Sequence, residues 1–134
     1  MSSFIAARGN LTRDPDGGFA AETGKAWAHL DLAVNDRVKT TSGQWANGPA
    51  LYYRVTVFGR TAEHALESLH RGECVVFAGQ LTVKASTRTD GTEGVNREVI
   101  ADLLGMDLSQ TKIAAVREPF LPDDPAMSNR PPAG

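Results

Sequence analysis

The stretch Leu51-Tyr52-Tyr53-Arg54-Val55-Thr56-Val57-Phe58-Gly59 decides the fold that we predict for this chain. Its β-branched and aromatic residues favour a strand, and the glycine at its end favours a turn. Side chains alternate between the two faces of a strand, so the odd positions from 51 to 57 form a mostly apolar face suited to a core. The even positions present Tyr52, Arg54, Thr56 and Phe58 on the opposite face.

This second face is unusual for a solvent-exposed surface, where Lys, Glu, Ser or Thr would be expected. Two flat rings around a guanidinium suit a surface on which bases stack while a phosphate is neutralised. The same rings would also suit packing against a neighbouring strand or subunit. The stretch alone leaves both interpretations open.

The size and composition of the chain indicate one soluble globular domain. With 134 residues, 41% of them apolar, it can bury a core without disulfides or metals. Its longest apolar run is far shorter than a membrane span, and the first residues lack the pattern of a signal peptide. We therefore expect a cytoplasmic protein with no membrane partner.

A single cysteine, Cys74, excludes an internal disulfide and a cysteine metal cluster, and it fits a reducing compartment. We expect Cys74 to be a small, partly buried strand residue.

The distribution of charge says more than the net charge of −2. Between residues 35 and 60 the chain carries four basic residues, Arg37, Lys39, Arg54 and Arg60, against Asp36 alone, which is a local charge of +3. Such a patch would attract a polyanion. A chance fluctuation among surface charges is the alternative.

The periodicity predicts five strands, over residues 4–11, 25–34, 51–59, 74–85 and 96–104, and one helix over 61–71 between the third and fourth strands. Polar loops are predicted at 12–18, 35–50 and 86–94. In the helix we expect Thr61 to be the N-cap and Gly72 to end it. The predicted core consists of Ile5, Ala7, Leu11, Ala26, Ala28, Leu30, Leu32, Val34, Leu51, Tyr53, Val55, Val57, Ala62, Ala65, Leu66, Leu69, Val75, Phe77, Leu81, Val83, Val99, Ala101 and Leu103.

Three strands, a helix and two more strands is the order of an OB-fold, an all-β, five-stranded Greek-key barrel. We assign residues 1–110 to this barrel and 111–134 to a Pro-rich tail, disordered or loosely ordered because it has few apolar residues. OB barrels bind oligonucleotides or oligosaccharides around strands two and three. That face would carry Tyr52 and Phe58, flanked by the loops at 35–50 and 86–95.

Over residues 3–105 the chain resembles the bacterial single-stranded DNA-binding proteins. The resemblance depends on the order and spacing of several short segments rather than on any one of them. They are Gly9-Asn10-Leu11 with Asp14-Pro15, Ala28-His29-Leu30-Asp31-Leu32-Ala33, Tyr53 to Gly59, Thr61-Ala62-Glu63, Leu69-His70-Arg71-Gly72, and Val75 to Leu81. The Gly43-Gln44-Trp45 loop is similar to the actinobacterial version.

The resemblance implies a homotetramer that binds and protects single-stranded DNA without sequence preference, in replication, repair or recombination. We expect it to be cytoplasmic and associated with the nucleoid. No cofactor is implied. Phe58 and Arg54 fall on a stacking position and an arginine position of the family, and Tyr52 stands where the best-known members have tryptophan. The candidate DNA-binding residues are Tyr52, Arg54, Phe58, Arg37, Lys39, Trp45, Arg60, Lys84 and Arg88.

Three departures from the family pattern affect these expectations. Val38 and Ser86 occupy the places of two further stacking tryptophans, and each lost stack costs roughly 1–3 kcal/mol. Trp45 and Trp27 are candidates to substitute for them, although we expect Trp27 to be packed. The resemblance implies replication or recombination proteins as partners, but the family's acidic C-terminal tip is missing. The short tail is similar to that of a second, specialised copy of the family.

No pattern in the sequence indicates an enzyme. His29, His64 and His70 form no metal-ligand motif, and there is neither a phosphate-binding glycine loop nor a G-x-S-x-G motif. We predict no catalytic and no metal-binding residues. Two alternatives to DNA binding stay open: an OB module for protein contacts with weak or no DNA binding, and a small OB protein that binds structured RNA or acts on nucleotides.

Overall fold

The computed structural model describes the backbone of residues 2–39 and 41–116, and the side chains of residues 3–35, 41–46 and 48–116. Its elements in chain order are β1 (Ser2–Leu11), β2 (Asp16–Phe19), β3 (Ala26–Lys39), β4 (Trp45–Phe58), α1 (Gly59–Ser68), β5 (Cys74–Thr87) and β6 (Glu93–Met106). The five long strands and the position of the helix agree with the prediction. Residues 117–134 of the predicted tail lie outside the described residues, and a domain boundary near residue 110 stays a prediction.

The strands pair in the order β1-β5-β6-β4-β3-β2, and β1 also pairs with β3. The five long strands therefore form a ring, with β2 added to β3 as a short extra strand. All pairs are antiparallel except β4 with β6, which run parallel. This order and the helix between the third and fourth long strands confirm the predicted OB-fold.

The core lies inside this ring and beneath α1. Its largest fully buried side chains are Leu30, Leu32, Val55, Val57, Val75 and Val99, all of them predicted to face inward. The apolar stripe of α1 adds Ala62, Ala65 and Leu69. Because residues on alternate positions of β3, β4 and β5 meet at this centre, the period-two pattern of the sequence and the burial agree.

Two predicted loops are shorter than expected, because the strands on both sides extend into them. β3 continues to Lys39 and β4 begins at Trp45, and the two strands pair with each other, so most of the predicted 35–50 loop is strand. The 86–94 loop shortens in the same way because β5 and β6 pair as far as Thr87 and Glu93. Backbone pairing between adjacent strands therefore outweighs the weak strand propensity of these polar residues.

β2 is an addition to the predicted order. The first three of its residues, 16–18, were predicted as the end of a turn, but Asp16–Phe19 pair with β3 from Asp16 opposite His29 to Phe19 opposite Ala26. Two glycines in a strand this short hide its periodicity, because they carry no side chain to alternate.

Both predicted ends of the helix are wrong. The helix begins at Gly59, with Phe58 as the N-cap and no side-chain cap bond, so Thr61 lies inside it. Gly59 has φ +66°, which lets the chain turn directly from β4 into the helix. At the other end the helix stops at Ser68 because Leu69 is extended and buried, and Gly72, with φ +90°, forms the turn into β5 instead.

Leu103 and Val83 were predicted to face the core, and both are exposed, Leu103 by 69% and Val83 by 43%. In β6 the register shifts between the pairs Ala78–Leu103 and Gly79–Ala101, leaving Asp102 as an extra residue. This bulge reverses the alternation, so that Leu104 and Met106 pack on the core and Leu103 faces outward. Val83 is opposite Arg97, in the part of the β5–β6 hairpin that extends beyond the buried core.

Candidate nucleic-acid interface

The outward-facing side chains of β3 and β4 form one continuous surface, which we call the wall. Residues directly opposite each other in an antiparallel pair lie on the same side of the sheet. The wall therefore consists of four cross-strand pairs, Trp27–Phe58, His29–Thr56, Asp31–Arg54 and Ala33–Tyr52.

The two faces of β4 are separated as predicted. Tyr52 is 65% exposed and Phe58 41% exposed, with Arg54 exposed between them. On the other face Val55 and Val57 are fully buried. The two rings are available to a planar ligand, while the alternate residues stabilise the barrel.

Arg54 is held by a carboxylate within the wall. Its Nε donates to Asp31 Oδ1 at 2.9 Å and its Nη2 to Oδ2 at 3.3 Å. Arg13 approaches the same carboxylate, with Nη2 at 2.7 Å from Oδ2. Burial alone would raise the pKa of Asp31, but the hydrogen bonds and charges of Arg54 and then Arg13 outweigh it and lower that pKa. The bond to Asp31 in turn raises the pKa of Arg54.

Trp27 lies at one end of the wall rather than in the core, so the prediction that it is packed is only half right. Its side chain is half-buried, with the ring centroid 4.9 Å from that of His29, and it stands opposite Phe58. The ammonium of Lys25 lies 5.1 Å from the centre of the Phe58 ring. The alternation of Trp27, His29 and Asp31 in the sequence is the signal that puts this ring on the outer face of β3, and the strand register places it beside Phe58.

The surface continues from the wall onto β6 and β5. Glu98 lies next to Arg54 in the parallel β4–β6 pair. Its Oε2 atom forms an ion pair with Lys84 Nζ at 3.3 Å. Lys84 and Arg54 line one shallow cavity of about 290 Å³, together with His29, Thr56 and Ile100. The structure thus brings Lys84 to the same surface as Arg54. A second groove of about 360 Å³ lies between Asp31, Tyr52, Arg54 and Glu98.

Trp45 is at the far end of β4 and is 60% exposed. Between the pairs Asn35–Ala50 and Arg37–Asn47 the β4 strand has one more residue than β3, so Trp45 joins the face that carries Tyr52. The backbone of Arg37 and Lys39 pairs with Asn47 and Trp45 in this hairpin. The side chains of Arg37, Val38 and Lys39 lie outside the described residues.

The other two predicted basic residues lie further away. Arg60 is the second residue of α1, directly after the Phe58–Gly59 turn. Arg88 is in the turn between β5 and β6, where its Nη1 donates to the Glu93 carbonyl at 3.0 Å, next to half-buried Ser86. The contacts of Arg88 are thus within its own hairpin.

The centre of this surface is balanced in charge. Arg13, Arg54 and Lys84 are faced there by Asp31 and Glu98, and Asp16 also acts on the charge of Arg54. The local excess of positive charge predicted from residues 35–60 therefore does not extend to the middle of the wall. The sequence separates Asp31 from Arg54 by more than twenty positions, and only the strand register brings them together.

Nothing in the described residues indicates a metal centre: no group of three or more His, Cys, Asp and Glu side chains is placed to hold an ion. Cys74 is buried at the start of β5, where burial, and next the charge of Asp107, raise the pKa of its thiol. In the same part of the chain no helix has the length and apolar character needed to span a membrane.

Strand order and helix position define an OB-fold barrel, and the family follows from comparison with known proteins. Residues 3–107 match the model of the Single-strand binding protein family. The chain therefore belongs to the single-strand binding protein family, as the resemblance in its sequence predicts.

The relatives include proteins of actinobacteria and of a clostridium. A single-stranded DNA-binding protein of Mycolicibacterium smegmatis is 34% identical over 105 residues, which cover 78% of this chain and 63% of that protein. Single-stranded DNA-binding protein 1 of Clostridium acetobutylicum is 32% identical over 110 residues, 81% of this chain and 94% of that protein. The chain thus spans about three fifths of the mycobacterial relative.

The fold is similar to that of a small single-stranded DNA-binding protein from Streptomyces coelicolor. The crystal structure of that protein matches with a TM-score of 0.69 and 26% sequence identity, over 83% of this chain and 99% of the other. This similarity confirms the OB architecture.

Proposed function

We propose that this protein binds and protects single-stranded DNA without sequence preference, in replication, repair or recombination. The observation that carries the proposal is the exposed pair of rings, Tyr52 and Phe58, on either side of Arg54 on the outer face of an OB barrel. Membership of the single-strand binding protein family supports it.

Binding proceeds by capture rather than by catalysis. Tyr52 and Phe58 offer faces to successive bases, and because every base has a π-face the sequence does not matter. Basic side chains neutralise phosphates and release counterions. We assign this role to Arg54 and Lys84 on the barrel and to Arg37, Lys39, Arg60 and Arg88 around it, with Trp45 as a further stacking ring. Duplex DNA hides the base faces, so unpaired strands are preferred.

We further propose that the protein is a homo-oligomer, and that it is a homotetramer as the family resemblance implies. Support comes from a second surface, which we call the apolar face, on the outside of β1, β5 and β6; it consists of Phe4, Ala6, Val76, Ala78 and Leu103. Phe4 is 64% exposed and Leu103 69%. Exposed apolar patches of this kind mark contact surfaces.

The edge of β1 also favours association. Ser2–Arg8 pair with β5 on one side, and within the described part of the chain β1 meets β3 only at Asn10 and Leu11 on the other side. An unpaired strand edge invites another strand. Several barrels joined in this way would let one DNA strand cross successive walls and would raise affinity through effective concentration. We place the protein in the cytoplasm, with the DNA.

The test is an equilibrium titration of the purified protein with oligothymidine of several lengths at two or more salt concentrations, alongside its solution mass. We expect quenching of tryptophan or tyrosine fluorescence and an affinity that falls as salt rises. A duplex of the same length should bind much more weakly. A stable oligomer that shows no quenching would favour the alternative of a protein-interaction module. Preference for folded RNA over oligothymidine would favour the alternative of a small OB protein that binds structured RNA or acts on nucleotides.

A further inference from the structure

Asp31 occupies the centre of the wall and is shared by two arginines. One carboxylate oxygen accepts from Arg54 Nε at 2.9 Å, and the other lies 3.3 Å from Arg54 Nη2 and 2.7 Å from Arg13 Nη2. The Asp31 side chain is 25% exposed, against 44% for Arg54 and 58% for Arg13. The carboxylate is thus at the base of the groove between Tyr52 and Arg54, within reach of a ligand that enters it.

The arginine edge bound by Asp31 is one that a phosphate would use. A guanidinium binds a carboxylate or a phosphate through two parallel N–H donors, and Asp31 already takes the Nε–Nη2 pair of Arg54. A phosphate must therefore displace the carboxylate from this edge or bind the other edge of the guanidinium, which carries the two Nη1 hydrogens and the second Nη2 hydrogen. It also meets the negative charges of Asp31 and Glu98, which lie on both sides of Arg54.

We propose that Asp31 sets the affinity of the wall for single-stranded DNA by competing with phosphate for Arg54 and Arg13. This inference rests on the proposed function, and it identifies a residue that weakens binding rather than one that supplies it. Exchange of one anion for another on the same arginine yields little net attraction, so the stacking rings carry a larger share of the affinity and the DNA is released more readily.

Neutral substitutions of Asp31 test the proposal. Asp31→Asn keeps the size of the side chain, and Asp31→Thr is a second variant with good strand propensity. We expect each to bind oligothymidine about 3- to 10-fold more tightly at low salt. The slope of log affinity against log salt should steepen by about 0.7 for each arginine released to a phosphate. Glu67→Gln, on an exposed position of α1, is the control for the change in net charge.

Thermal unfolding of each variant shows whether it is folded, and only folded variants are compared. A folded Asp31→Asn protein that binds no more tightly than the wild type, with an unchanged salt slope, would overturn the proposal. So would a gain equal to that of Glu67→Gln, because net charge alone would then explain it.

A double-mutant cycle tests whether the arginines transmit the effect. In an Arg13→Gln/Arg54→Gln background, Asp31→Asn should lose most of its gain, and persistence of the full gain would contradict the mechanism. The wild-type titration separates this outcome from a failure of the proposed function. If neither the wild type nor Asp31→Asn binds oligothymidine, both proposals fall; if the wild type binds and the variants match it, only the inference about Asp31 falls.

Discussion

The barrel exposes two surfaces that are equally open to solvent and chemically different. On the wall Tyr52 is 65% exposed, and on the apolar face Leu103 is 69% exposed. The wall places its rings among ions that are already paired, such as Arg54 with Asp31. The apolar face has aliphatic and aromatic side chains around small alanines, with the Arg8–Asp107 ion pair at its margin, 2.9 Å long.

This difference shows what each surface can bind. An apolar surface gains free energy by excluding water against another apolar surface, which a second copy of the chain would supply. Rings mixed with charges remain well solvated when free and can still stack on a base and contact a phosphate. Exposure alone would not distinguish the two surfaces.

The largest expected effect comes from placing charge on the apolar face. Phe4→Asp combined with Leu103→Asp should raise the subunit dissociation constant about a hundredfold or more, because both aspartates would have to be desolvated at the interface. Analytical ultracentrifugation over a range of concentrations measures this change. Leu108→Asp, at a residue that is 70% exposed but lies in the turn after β6, is the matched control. An unchanged mass for the double variant would contradict the assignment of this face.

Substitutions of two neighbouring residues on β4 test whether the wall binds DNA and whether the opposite face stabilises the fold. Phe58→Ala should weaken oligothymidine binding by about 1–3 kcal/mol, the contribution of one stacked base, with little change in the free energy of unfolding. Val57→Ala, fully buried on the opposite face, should lower the free energy of unfolding by roughly 2 kcal/mol and leave the affinity of the folded protein unchanged. Titration and urea denaturation of both variants measure the two quantities. If Phe58→Ala unfolds the protein, the wall is part of the core.

Asp107, at the margin of the apolar face, should make a smaller and pH-dependent contribution to the free energy of unfolding. Hydrogen bonds from Ser109, first its hydroxyl and then its backbone N–H, and next the Arg8 guanidinium, lower the pKa of Asp107 to about 2. Because this folded-state pKa is below the unfolded value, Asp107 stabilises the fold above about pH 4, and the contribution is lost as the pH falls through about 2.

Asp107→Asn should therefore have a lower urea midpoint than the wild type near neutral pH, and the gap should close towards pH 2. Midpoints measured at several pH values between these limits give the gap. Asp102→Asn, at an exposed carboxylate on β6, controls for the lost charge. A gap that stays constant down to pH 2 would show that the ionised form is not what stabilises the fold.

We expect the smallest change in affinity from Trp45→Phe, a variant that provides a fluorescence test of the Trp27 end of the wall. The chain has two tryptophans, and Trp45→Phe leaves Trp27, beside Phe58, as the only one. We expect this variant to keep an aromatic ring at position 45, to lose less than about threefold in affinity, and to show quenching of Trp27 by oligothymidine. Absence of quenching in a variant that still binds would place the bases away from the Trp27 end.

Much of the barrel could be predicted because period-two alternation is a local property. The inward positions of β3 and β4, from Ala28 to Leu32 and from Tyr53 to Val57, are as predicted, and so is the exposure of Tyr52 and Phe58. The errors lie where local propensity is weak or backbone geometry intervenes. Gly59 starts the helix two residues before Thr61, and the bulge at Asp102 turns Leu103 outward.

The sequence by itself determined the order of the five long strands and the helix, the family, and the alternation that sends two rings and an arginine to one side of β4. These features depend on residues close together in the chain. The tertiary structure alone decided which distant residues share the wall. Register places Asp31 against Arg54 and Trp27 against Phe58, and ring closure brings Glu98 and Lys84 alongside. The interaction between charges depends on their distance in space, so the carboxylates that act on Arg54 could be identified only once the strands were paired.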